Sequence, residues 1–202
     1  MDITIIDYGM GNLRSVQKAF EKAGARATIT QDAKEIGRAE KLVLPGVGAM
    51  APAMQRLREL GLIEIIRASV TAGNPFLGIC LGFQLLFNRS TEGGDVPGLN
   101  LLDGTVERFP PGQKIPHMGW NTLIFSRKDC PLWKGLPSQT YVYFCHSFYV
   151  KPNKPGVTAS LTEYGISFAS SVWDKNVFGV QFHPEKSQDI GLQILKNFIE
   201  NT

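Results

Sequence analysis

The chain has 202 residues, 43% hydrophobic and 19% charged, and its 21 basic and 18 acidic side chains leave a net charge of +3. That composition fits one domain, residues 1–202, with a sizeable core. No long basic run argues for nucleic acid. No apolar stretch approaches the ~18 residues a membrane span needs, and the acidic start, MDITIIDYG, is not a signal peptide. Cys80, Cys130 and Cys145 lack the spacing of a metal site or a disulfide framework and fit a reduced, cytoplasmic protein.

Asp2–Ile6 predicts a buried strand that ends at Asp7-Tyr8-Gly9-Met10-Gly11-Asn12. Leu13–Ala23 predicts a helix with Val16, Ala19, Phe20 and Ala23 on one face and Gly24 as its stop. The glycine pair before it lacks the third Gly of a dinucleotide fingerprint and reads as a tight strand-to-helix turn. Ala27–Thr30 and Lys41–Leu44 predict two more strands, the second running into Pro45-Gly46-Val47-Gly48. Ala51–Leu60 and Ile63–Val70 predict helices. Phe76–Ile79 predicts a fourth strand that enters Gly78-Ile79-Cys80-Leu81-Gly82, and the apolar run to Phe87 predicts a helix. This alternation indicates an α/β fold with a mostly parallel sheet flanked by helices and ligands beyond the strands' C-terminal ends.

From Gly98 the texture turns β-rich. Gly104–Phe109, Asn121–Phe125, Tyr141–Val150, Val157–Leu161, Ser167–Trp173 and Val177–Phe182 predict an antiparallel addition in the C-terminal half. Ser187–Asn201 closes as a helix with Ser187 as its N-cap and Ile190, Ile194, Leu195 and Phe198 as its apolar stripe.

A thiol at a sharp strand-to-helix turn is exposed above the sheet, where helix-start N–H groups can hold a developing negative charge. The glycines around Cys80 permit the tight backbone and leave room for a substrate. The competing reading is a small buried cysteine in a joint. Gln181-Phe182-His183-Pro184-Glu185 shifts the balance. A histidine at a strand end can take the thiol proton, and a carboxylate two residues on can fix the imidazole's tautomer.

Gly78-Ile79-Cys80-Leu81-Gly82-Phe83-Gln84 together with Gln181-Phe182-His183-Pro184-Glu185 resembles the class I (triad) glutamine amidotransferases. Asp7–Val16, Leu44–Gly48, Pro116-His117-Met118-Gly119-Trp120-Asn121 and Glu185-Lys186-Ser187 resemble the branch of that family whose glutaminase chains serve histidine biosynthesis. The resemblance runs from Asp2 to the last helix and implies a flavodoxin-like fold without a cofactor or metal. It implies Cys80 as nucleophile, His183 as proton carrier and Glu185 as orienter. Backbone N–H groups of Leu81 and of Val47, within Gly46-Val47-Gly48, would hold the oxyanion. Gln84, Glu92, Gly48 and the backbone at Ser147-Phe148 would hold glutamine. Phe148 stands where the family commonly has Tyr, and Phe83 where Met is common.

The resemblance further implies a heterodimer with a (βα)8-barrel synthase that uses the ammonia. That partner's products are imidazole glycerol phosphate and aminoimidazole carboxamide ribonucleotide. Asn12, Trp120, Asn121, Tyr143 and Lys186 are the interface positions by motif. His117 reads as part of a structural turn, and His146 as a hydrogen-bonded structural histidine. Three other readings stay open on the sequence: a glutaminase serving anthranilate or GMP synthesis, a non-catalytic scaffold on the same fold, and a cysteine peptidase on a related one.

Overall fold

The computed structural model describes residues 1–202. Its first half alternates strand and helix: β1 (Asp2–Ile6), α1 (Leu13–Lys22), β2 (Arg26–Thr30), α2 (Ala33–Gly37), β3 (Leu42–Gly46), α3 (Met50–Glu59), α4 (Leu62–Thr71), β4 (Phe76–Cys80) and α5 (Leu81–Gln84). The remainder is chiefly strand: β5 (Phe87–Ser90), β6 (Val96–Pro97), β7 (Leu102–Arg108), β8 (His117–Phe125), β9 (Thr140–His146), β10 (Phe148–Pro152), β11 (Thr158–Glu163), β12 (Ser167–Asp174) and β13 (Val177–Val180). The last helix is α6 (Gln188–Asn201).

All these strands join in one sheet whose order begins β2-β1-β3-β4-β13, five parallel strands in flavodoxin-like sequence. From β13 the sheet continues antiparallel through β12, β10 and β7. β11 leaves β12 to carry a ribbon of β8 and β9. The central parallel strands β3, β4 and β13 are buried on both faces, which explains their short runs free of polar side chains other than the Cys80 thiol. Val43, Leu77 and Ile79 pack with Phe20, Ile194 and Phe198 on one side. Leu42, Leu44 and Phe76 pack with Met50, Leu57 and Ile66 on the other. The period of two in β3 thus serves two cores rather than a core and solvent.

Several expected boundaries move. The helix after Cys80 is a single turn, because Leu85 and Leu86 turn the chain so that Phe87 can start β5 beside β7. Pro116–Asn121 is not a turn: His117 opens a nine-residue strand paired with β9. Tyr141–Val150 divides at Ser147 into β9 and β10. Ser187 does not cap α6 with its side chain. Its hydroxyl instead donates to the His183 carbonyl at 2.7 Å and accepts from the Tyr143 N–H at 3.0 Å, pinning the turn after β13 to β9. At the other end of α6, Lys41 Nζ donates to the Phe198 and Ile199 carbonyls at 3.1 and 2.8 Å, supplying orphan acceptors of the last turn.

Gly82 explains how α5 sits so close to β3. A Cβ there would lie 1.7 Å from the Leu44 carbonyl oxygen, so helix and strand touch backbone to backbone. A Cβ on Gly78 would meet the Gly82 carbonyl at 2.6 Å. The glycines flanking Cys80 therefore serve internal packing, not room for a substrate. Gly82→Ala is expected to lose on the order of 3 kcal/mol by overpacking, read as a drop in the denaturant midpoint at constant slope.

Candidate active site

Cys80 is the last residue of β4 and has φ 56° and ψ −108°, a left-handed backbone that a side chain adopts only under constraint. β4 lies between β3 and β13, with Gly46 opposite Cys80 and Val180 opposite Ile79. The strands on either side therefore deliver Val47 and His183 to the same edge as the thiol. Cys80 is 6% exposed and opens onto a cavity of about 270 Å³.

Val47, Gly48, Leu81, Gln84, Glu92, Ser147, Phe148, His183 and Lys186 line the same cavity. Of the expected substrate and oxyanion positions, only Gly46 lies beneath it. There the space of a Gly46 side chain is filled by the Tyr8 hydroxyl, 2.2 Å from where a Cβ would be.

His183 leaves β13 into a tight Pro184–Lys186 turn that brings Glu185 back onto the ring. Nδ1 lies 2.8 Å from Glu185 Oε1, and the two side chains are 5% and 2% exposed. Burial alone would lower the His183 pKa. Contact with Cys80 and with the Glu185 carboxylate outweighs it and raises the pKa to about 10. A histidine ring held beside the thiol is placed to exchange a proton with it. Glu185 Oε2 is buried without a hydrogen-bond partner.

The surroundings add groups for which no sequence motif predicts a role. Gln181 Nε2 and the Cys145 carbonyl oxygen each lie 4.0 Å from Cys80 Sγ. Gln181 is visible in the sequence only as a neighbour of the His-Pro-Glu motif. Tyr8 is fully buried, its hydroxyl lacks a partner, and burial together with the nearby Cys80 raises its pKa. Glu92, expected to hold the substrate, also caps a helix. Its Oε2 accepts from the Met50 N–H at 2.9 Å, the first residue of α3, where Ala49 offers no capping side chain. The Phe148 carbonyl accepts from Gln84 Nε2 at 3.1 Å and from His146 at 2.7 Å, so both its lone pairs are engaged within the protein.

Around the cavity mouth, Trp120 and Tyr143 pair across the β8–β9 ribbon in a T-shaped contact at 6.2 Å. Lys186 Nζ lies 5.7 Å from the Tyr143 ring centre. Met118, Trp120 and Tyr141 on the β8–β9 ribbon and Val47 on the cavity wall are 61%, 48%, 60% and 43% exposed, large apolar side chains left in solvent. Asn121 is half-buried beside Trp120. Asn12 is exposed and N-caps α1 through its side chain, 3.4 Å from the Ser15 N–H.

A model of the glutamine amidotransferase class-I family matches residues 4–202, and the chain belongs to that family. The imidazole glycerol phosphate synthase subunit HisH of Moorella thermoacetica is 54% identical over 98% of this chain and 94% of its own. The protein of the same name from Geobacter metallireducens is 52% identical over 97% and 96%. Among solved structures, a glutamine amidotransferase superposes with a TM-score of 0.76 at 21% identity, over 96% of this chain and 98% of that one. PurLQS from Thermotoga maritima reaches 0.75 at 21% identity, over 98% and 95%. At that identity the structural likeness speaks for the fold.

The raised His183 pKa carries a sign. The charged ring is favoured by the fold, so its stabilisation is complete below the unstructured value of 6.5 and fades as pH rises to about 10. Wild-type stability is expected to decline across that window, and Glu185→Gln to flatten the decline. Denaturation midpoints of both proteins against pH measure it; parallel curves would count against the His183–Glu185 pair.

Proposed function

We propose that this chain is the glutaminase subunit of an imidazole glycerol phosphate synthase, one domain that hydrolyses glutamine to glutamate and ammonia. The carrying observation is that Cys80 and His183 meet at one cavity from the ends of adjacent parallel strands, with Glu185 hydrogen-bonded to the His183 ring behind it. The match of name and length among relatives about half identical to the chain supports the pathway.

In this reading Cys80 Sγ attacks the side-chain amide carbon of glutamine. His183 hands the thiol proton to the leaving amide nitrogen, and ammonia departs. Water, deprotonated by His183, then cleaves the thioester to glutamate. Glu185 holds the ring's tautomer through Nδ1 and leaves Nε2 for the proton transfers. The tetrahedral oxyanion takes the N–H groups of Leu81 and Val47, each such donor accounting for ~10²–10³ in turnover. Gln84, Glu92, Gly48 and the Ser147-Phe148 backbone receive the amino acid.

The partner in this reading is a (βα)8-barrel synthase that consumes the ammonia. It sits over the cavity mouth on the apolar face of the ribbon, with Asn12, Trp120, Asn121, Tyr143 and Lys186 in the contact. Such a face, aromatic at its centre and carrying one charge, is typical of a protein interface. The compartment is the cytoplasm, where the Cys80 thiol stays reduced.

The test is glutamate release by the purified chain, alone and with the barrel synthase plus its nucleotide ligand. Cys80→Ala is expected to abolish release in both settings. Lys186→Ala should keep basal turnover and lose roughly tenfold of the partner's stimulation, within the usual size of a coupling between sites. Turnover that is high alone and indifferent to the barrel would assign the triad to another synthase. Absence of any Cys80-dependent release would leave a scaffold.

A further inference from the structure

His117 and His146 take no part in the chemistry above, yet both are buried beside it, at 3% and 5% exposure. They face each other across the β8–β9 ladder. His117 is stacked between Tyr164 and Phe144, with ring centres 4.0 and 4.8 Å away. A histidine serving only as filler has no need of ordered polar partners, and here every ring nitrogen has one.

The order of donors is fixed from one end. The Phe148 carbonyl can only accept, so His146 Nδ1, 2.7 Å away, carries a hydrogen. Burial lowers the pKa of His146 to about 3 and of His117 to about 4, which keeps both rings neutral at pH 7. His146 Nε2 must then accept, and its donor is His117 Nδ1 at 2.9 Å. His117 Nε2 accepts in turn from Asn121 Nδ2 at 3.2 Å. The same amide donates to the Glu163 carbonyl at 2.9 Å, and its oxygen accepts from the Thr122 N–H at 2.8 Å.

The inner end of this chain is the cavity wall. Gln84 Nε2 spends its two hydrogens on the Phe148 carbonyl and on Gln181 Oε1, each at 3.1 Å. The Gln84 amide is thereby locked, with its oxygen left as the acceptor for a ligand. The outer end is Asn121, next to exposed Trp120.

We propose that His117 and His146 are positioning residues for glutamine. Their ordered hydrogen bonds, running from Asn121 to the Phe148 carbonyl, hold the Ser147–Phe148 backbone and the Gln84 amide in the orientation that receives the substrate. This rests on the cavity being the glutamine site. The same bonds run on to Asn121, whose neighbour in the chain, Trp120, is exposed on the other face of the strand.

The experiment compares His117→Phe and His117→Gln in the complex with the barrel synthase. Phe keeps the stacking and removes both nitrogens. Gln restores one donor toward His146 and one acceptor toward Asn121. The expected result is a KM for glutamine about tenfold higher in His117→Phe with kcat within about threefold of wild type, and recovery of most of that KM in His117→Gln. A KM within twofold of wild type in a folded His117→Phe, or equal losses in the two variants, would overturn the proposal. Nitrogen-15 spectra of the wild-type chain at pH 7 decide the order independently of turnover. Two neutral rings protonated on Nδ1 are expected, and an imidazolium or an Nε2-protonated tautomer at either ring overturns it. A wild-type complex that releases no glutamate would sink the function proposed above. In that case glutamine affinity of Cys80→Ala with and without His117→Phe, by calorimetry, takes the place of KM, and equal affinities or no binding overturn the positioning role.

Discussion

The bent backbone at Cys80 is the constraint on which the rest of the site depends. A non-glycine residue with φ 56° costs of order 1–3 kcal/mol and persists only where its surroundings leave no alternative. Here the surroundings are two parallel ladders, from β3 on one side and β13 on the other, and a helix turn wedged against the β3 backbone. The same ladders end beside the thiol. The arrangement that holds the strain therefore also delivers His183 and the Val47 loop to the cavity beside the thiol.

The three histidines show how a single residue type is sorted by its partners. His183 gains a carboxylate and a sulfur, and its pKa rises although it is buried. His117 and His146 gain only dipolar partners and aromatic rings, and burial lowers both. The Cys80 sulfur and the Glu185 carboxylate together outweigh desolvation; a carbonyl or an amide does not. One cavity wall thus carries a ring prepared to hold a proton and another prepared never to take one.

The sequence made the alternation of β1, α1, β3 and β4 legible, as it did the Cys80 turn and the His183–Glu185 pair, because each is written in a short local pattern. It failed where the pattern is inverted or non-local. In β8 the polar side chains His117 and Asn121 point inward while Met118, Trp120 and Ile124 face out, so the usual alternation located only its second half, Asn121–Phe125. The Leu81–Phe87 run is apolar apart from Gln84, and such a run does not distinguish a helix from a turn leading to a buried strand. The cap that Glu92 provides for α3 comes from 42 residues away and replaces a local signal that Ala49 lacks. Tyr8 and Gln181 approach Cys80 only through sheet order, which no local spacing encodes.

The contact between Gly82 and the Leu44 carbonyl has a consequence for motion. With no side chain between them, β3 and α5 have no slack, and thermal displacement of one carries the other. The Cys80 turn and the strand beside it therefore move together. Compliance begins beyond Gly46, where Val47 and Gly48 are exposed and Gly48 has φ +97°. Backbone order along this segment is therefore expected to fall within two residues, from Gly46 packed against α5 to the exposed Val47–Gly48, beside the thiol.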